Sequence, residues 1–170
     1  MAFLHSTEFN NMEDLFWHEI DDLYDAEKRL VDALPKMEDA AHAPELKTAF
    51  REHLGQTKQQ LQRLEQIYNS LGKEKRGNTC EAMKGLISEG EEIVKAKGDA
   101  EVKDAALVGA AQRVEHYEIA GYGTARSFAQ HLGHSEAATL LETTLAEEKE
   151  TDQRLTRLAE ESLNLKAENA

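Results

Sequence analysis

Apolar residues recur along most of the chain at intervals of three and four, the spacing that lines one face of an α-helix. Five segments carry it. The first runs from about Asn11 to Ala41, with the stripe Phe16, Ile20, Leu23, Glu27, Leu30, Leu34, Met37 and Ala41. Pro35 falls inside it and predicts a kink. The second covers about Glu45 to Leu71, after a Pro44 suited to a helix start. Its stripe is Leu46, Phe50, His53, Thr57, Gln60, Leu64, Ile67 and Leu71. A shorter one, about Glu81 to Ala96, places Met83, Leu86, Ile87, Ile93 and Val94 on one side. The fourth runs from about Val102 to Leu132 and stops at Gly133. Its stripe includes Ala111, Val114, Tyr122, Ala125 and Ala129. The last covers about Ser135 to Leu163, with Ala138, Leu141, Leu145, Glu148, Asp152, Leu155 and Ala159 inward. The closing NLKAENA, residues 164–170, reads as a frayed end.

Four long helices joined by two short links and one long middle connection predict an all-α fold. The long connection, GKEKRGNTC (72–80) plus the short helix, crosses between the second and third long helices. An antiparallel four-helix bundle with one such crossover is the ferritin-like arrangement. At 170 residues the chain reads as a single domain, residues 1–170, large enough to bury a core.

Each long stripe is broken by polar residues near its midpoint. These are Glu27 in the first; His53, Thr57 and Gln60 in the second; Glu115 and Glu118 in the next; Glu148 and Asp152 in the last. In an antiparallel bundle the midpoints share one height, so the polar groups are expected in one layer between apolar layers. Burying an unpaired carboxylate costs several kcal/mol, against a total stability of about 5–15 kcal/mol. Five ionised acids in a dry core therefore demand bound cations, protons or water. Cations satisfy the charge most simply: two divalent ions carry four positive charges, and carboxylate with imidazole suits iron, manganese or zinc. The i, i+3 spacing of Glu115 and Glu118 puts both on one face, one turn apart. Taken singly, each acid reads more readily as a solvated rim residue than as a ligand, and His53 more readily as a hydrogen-bonded core histidine. The coincidence in four helices is the stronger signal.

Composition narrows the partners. A net charge of −13 disfavours phosphate backbones, so nucleic acid is not expected. Cys80 is the only cysteine, which rules out an internal disulfide and a thiol-rich metal site. No window nears 18 continuous apolar residues, so no membrane span is expected. The opening MAFLHSTEFNNMEDLF lacks a basic start followed by an apolar run, so no leader and a cytoplasmic location are expected. The basic KEKR (73–76) is too short for nucleic-acid binding, and no Ser/His/Asp or Cys/His nucleophile set is present. His18 and His116 fall off the stripes as surface or dimer-contact residues. Of Tyr24, Tyr117 and Tyr122, Tyr24 is the best placed to reach the polar layer, though packing is the simpler role for all three. The small residues of EIAGYGTA suit close helix packing.

The stretches DLYDAEKRLVDALPKM, AFREHLGQTKQQLQRLE, CEAMKGLI, DAALVGAAQRVEHYEIAGYGT and LLETTLAEEKETDQRLT resemble the YciF stress proteins, a branch of the ferritin-like superfamily near rubrerythrin. The resemblance spans nearly the whole chain. It implies a helical homodimer of bacterial stress responses, with two irons or manganese between the long helices and oxygen or peroxide as the chemistry of many relatives. Carried over by position, Glu27 fits the acid of the first helix, Glu115 and Glu118 the paired acids of the third long helix, and Glu148 the acid of the fourth. The superfamily's Glu-x-x-His motifs are missing. The second helix reads His53-Leu-Gly-Gln56, with Gln56 where YciF relatives tend to carry Glu, and the last reads Glu148-Lys-Glu-Thr-Asp152.

The expectation is thus a stress protein holding two Fe or Mn ions through Glu27, His53, Glu115, Glu118 and Glu148, with Asp152 auxiliary and no organic cofactor. Its redox partner is not named by the sequence. The alternatives are a non-enzymatic dimeric stress protein whose site has lost its metal, or a storage or scaffold subunit. The short helix, read as carrying a second apolar face, is the expected dimer contact.

Overall fold

Helix starts and stops follow side chains that satisfy orphan backbone groups. In the computed structural model, which describes residues 8–75 and 77–170, α1 spans Met12–Ala40. Asn11 caps it by accepting from the Asp14 amide at 2.9 Å. The helix α2, Pro44–Ser70, begins on its proline, and α3 is Glu81–Lys95. The helix α4, Ala100–Leu132, starts where Asp99 accepts from the Glu101 and Val102 amides, two residues before the periodicity begins. It ends at Gly133, whose φ of 77° is left-handed and needs glycine. The helix α5, Ser135–Leu158, runs through a π turn, Ala159–Leu163, into a last helix α6, Asn164–Glu168. The expected frayed end is therefore corrected. Leu163 is buried and the Lys166 ammonium sits 3.0 Å from Glu45, which ties the end of the chain to the start of α2. The first seven residues, read above for a leader, and Arg76 of KEKR lie outside the described residues.

Cross-helix contacts give the topology. Tyr68 pairs with Asp21 and Arg51 with Glu38, so α1 and α2 are antiparallel. Arg63 meets Glu147 and Glu52 meets Arg154, which makes α2 and α5 antiparallel. Arg126 meets Glu142 near one end of the α4–α5 hairpin and Gln112 meets Thr156 near the other. The backbone amides of His42 and Ala43 donate to Asp104, both at 2.7 Å, which brings the end of α1 to the start of α4. The ring order is α1–α2–α5–α4, and the crossover carries the chain back along the bundle. Acids on α1 hold that crossover: Asn78 donates to Asp21 and the Cys80 amide to Asp25.

The helix α3 lies on α1 and α4. Met83 is buried, and Leu86, Ile87, Ile93 and Val94 pack against the core. Leu86, Ile87, Ile93 and Val94 stay half-buried as they pack on the bundle, so the helix keeps part of its apolar surface at the outside.

The core is two apolar clusters with a polar layer between them. One groups Leu30, Leu34, Leu46, Phe50, Leu107 and Leu155; the other groups Phe16, Ile20, Leu23, Ile67, Tyr122 and Leu141. Gly121 lets α4 approach α1: a Cβ there would fall 2.8 Å from Leu23 Cδ2. No helix among the described residues is long and apolar enough to cross a membrane.

Candidate metal centre

The polar layer is built by register. Glu115 and Glu118 share the inner face of α4 with Ala111, Val114 and Tyr122, and all are buried. Glu27 replaces a core residue between Leu23 and Leu30 on α1, His53 does so after Phe50 on α2, and Glu148 after Leu145 on α5. All five side chains are at most 4% exposed. One ligand atom from each of His53, Glu115, Glu118 and Glu148 lies within 4.8 Å of all the others. Glu27 stands beside this group, where it accepts a short hydrogen bond from the Tyr122 hydroxyl.

The layer is short of protons and partners. Among the described residues, both oxygens of Glu118 and of Glu148, one oxygen each of Glu27 and Glu115, and both ring nitrogens of His53 lack a hydrogen-bond partner. His53 Nε2 and Glu115 Oε1 are 3.2 Å apart, an electrostatic contact without the alignment of a hydrogen bond. Buried polar atoms are nearly always satisfied, so a group of this size asks for a bound partner.

The titration behaviour agrees. Burial pushes Glu27 up to about 8, even though the Tyr122 hydroxyl and nearby His53 favour its charged form. Burial, then the charges of Glu27 and Glu115, hold Glu118 well above the usual carboxylate range. Burial, then Glu118 and Glu115, do the same for Glu148. Burial works against a charged His53, but the facing Glu115 and Glu27 outweigh it and raise its pKa. Three acids that resist ionisation, Glu27, Glu118 and Glu148, thus lie around one imidazole.

Asp152 is not brought into this group. Four residues past Glu148, it has rotated towards α4, where it accepts from Gln112 at 3.0 Å and faces the exposed His116 at 3.3 Å. Tyr24 does not reach the layer either; its hydroxyl donates to Glu65 at 3.0 Å on the bundle's flank. Tyr122 is the tyrosine that does. Its spacing carried the signal, since it follows Glu118 by four residues and Glu115 by seven on one face. Tyr117 points away from the layer to Asp22 and Cys80. Burial pushes the Cys80 thiol up to about 11, so it is not a reactive thiolate.

The donor set fits transition metals: three clustered carboxylates, a fourth beside them and an imidazole, drawn from four helices.

Residues 11–168 match the family model described as a domain of unknown function, DUF892. The chain is 47% identical to Protein YciF of Escherichia coli strain K12 over 159 residues, which cover 93% of this chain and 96% of that one. The chain belongs to the DUF892 family. The crystal structure of the E. coli stress protein YciF superposes with a TM-score of 0.89 at 44% identity, covering 92% of this chain and 99% of that one. A second similar structure is YcfI of Rhodopseudomonas palustris, described there as a proposed structural protein. It has a TM-score of 0.84 at 41% identity and covers 91% of this chain and 97% of its own. A Xanthomonas campestris pv. campestris protein shares the fold at 23% identity, with a TM-score of 0.72 over 94% of this chain and 99% of that one. The ferritin-like bundle read from the periodicity is thus the fold of the family.

Proposed function

We propose that this DUF892 protein is a stress protein whose bundle core binds a pair of divalent transition metals, iron or manganese. Glu115, Glu118, Glu148 and His53 hold them, with Glu27 as the acid on the α1 side. The observation that carries this reading is the set of buried, partnerless carboxylate oxygens and imidazole nitrogens converging from four helices. Four carboxylates and a neutral imidazole carry four negative charges, which two divalent ions cancel. A metal pair of this kind supplies Lewis acidity and redox capacity towards peroxide or oxygen. The chain's own groups do the positioning. The Tyr122 hydroxyl fixes Glu27 Oε1 and leaves Oε2 free for a ligand role. The apolar clusters on either side exclude bulk water, which strengthens every charge interaction in the layer.

A second reading is a metal-free stress protein whose acids are neutral. The raised pKa values of Glu27, Glu118 and Glu148 favour it, because protons satisfy the same charge deficit. Thermal melting with and without a chelator separates the two. Metal held by the native state raises its melting temperature by mass action, so chelation of the protein as isolated from iron-replete cells lowers it. An identical melt in both conditions supports the proton-filled core.

A further inference from the structure

A cavity of about 240 Å³ opens between α2 and α5 and reaches the polar layer. At roughly 30 Å³ per water it has room for about eight waters, enough for a hydrated ion. Its floor is His53 and Glu115, both more than nine-tenths buried and both carrying partnerless atoms. Higher up, Gln56 and Thr151 form a polar shelf where the hydroxyl reaches Gln56 Oε1 at 3.4 Å. At the mouth stand Glu52, Glu150 and Arg154, with Arg154 closed on Glu52 by an ion pair.

We infer that this cavity is the entry route for divalent cations to the core, a proposal that rests on the metal-binding reading above. The mouth carries a net negative charge, two carboxylates against one guanidinium, and so attracts cations and repels anions. The path offers oxygen donors at each level: carboxylates at the mouth, the Gln56 amide and Thr151 hydroxyl on the shelf, and Glu115 at the floor. A cation exchanging its waters stepwise meets a replacement ligand at each stage. Arg154 opposes the flow twice, by its charge and by occupying Glu52. The route therefore predicts opposite effects of removing the two signs of charge. Acting on a dication in a water-like dielectric, a unit charge roughly 12 Å from the slowest point of the path changes the entry rate about threefold.

The test follows Co²⁺ uptake by the metal-free full chain in a stopped-flow instrument, at low ionic strength, through the visible absorption of bound cobalt. Glu150→Gln is expected to slow uptake about threefold and Arg154→Gln to speed it about threefold, with the amount of cobalt bound at the end unchanged and the differences shrinking as salt is added. Both residues lie at the surface, outside the metal-holding group. A Glu52→Gln/Arg154→Gln double variant keeps the net charge of the mouth and is expected to load faster than wild type, because the closing ion pair is gone. Normal uptake with all variants at the wild-type rate overturns the route while leaving the metal site standing. Absence of uptake by the wild type overturns the site and the route together.

Discussion

The phenol of Tyr122 on α4 hydrogen-bonds Oε1 of Glu27 on α1, and both groups are fully buried. The bond crosses the seam that Gly121 lets close, and it orients the one acid that stands beside the four-residue group. Tyr122→Phe removes the donor and makes Glu27 a third carboxylate, after Glu118 and Glu148, with neither oxygen satisfied. The metal-free variant is expected to lose about 1–3 kcal/mol in chemical denaturation. An unchanged midpoint would show that the bond does not position Glu27.

The pH dependence of the metal-free protein follows from the raised acids. Glu27 at about 8, with Glu118 and Glu148 also raised, keeps protons in the folded state that the unfolded chain releases near 4.5. Their contribution to stability is complete below that value and fades as pH rises through the folded pKa. The raised His53 acts in the same direction. Melting temperature of the metal-free protein is therefore expected to fall from pH 5 to pH 8. The metal-loaded protein is expected to hold its stability, because metal competes with protons better as pH rises. Parallel curves for the two forms would contradict this.

Glu148→Gln and Asp152→Asn separate the buried group from its neighbour on the rim. Glu148→Gln exchanges an acid that resists ionisation for a neutral amide. It is expected to raise metal-free stability at pH 8 and to weaken metal binding by more than the ~10–100-fold typical of outer-shell changes. Asp152→Asn touches only the contacts to Gln112 and His116, and metal affinity is expected to stay within about twofold by competition titration. A large loss in Asp152→Asn would return that residue to the site.

Gly121 and Gly123 make a matched pair on α4. Gly123 has open space where a Cβ would go, so Gly123→Ala is expected to gain up to about 1 kcal/mol of helix propensity. At Gly121 the same methyl meets Leu23 at 2.8 Å, and overpacking of about 1–3 kcal/mol sets against that gain. Denaturation curves should rank Gly123→Ala above Gly121→Ala.

The helices and their inward faces were legible because a 3.6-residue period records burial directly. Phe16, Ile20, Leu23, Leu30 and Leu34 on α1 all lie where the stripe put them. The polar layer was legible for the same reason: Glu27, His53, Glu115, Glu118 and Glu148 break otherwise apolar stripes. Periodicity resolves direction to about one residue's turn, and that limit explains Asp152. A residue at the margin of a stripe can face the layer or the neighbouring helix, and α4 supplies Gln112 to hold it outside. The tyrosines meet the same limit: Tyr24 turns to Glu65 on the flank, while Tyr122 reaches Glu27 in the layer. The docked end of the chain and the inward packing of α3 depend on contacts between distant segments, Lys166 with Glu45 and Ile87 with the α1–α4 surface, which no local pattern encodes. The cavity above His53 has the small residues Ala49 of α2 and Ala111 of α4 in its lining. Their sizes are visible in the sequence; their juxtaposition is not.

The most direct measurement is a metal count on protein reconstituted anaerobically with Fe²⁺ or Mn²⁺, passed through a desalting column and assayed by mass spectrometry, beside Glu148→Gln treated identically. Retention of about two equivalents per chain by the wild type, and a clear loss in the variant, is the predicted result. Less than roughly a tenth of an equivalent of either metal in the wild type, under conditions that load other carboxylate–imidazole sites, would contradict a metal-binding core.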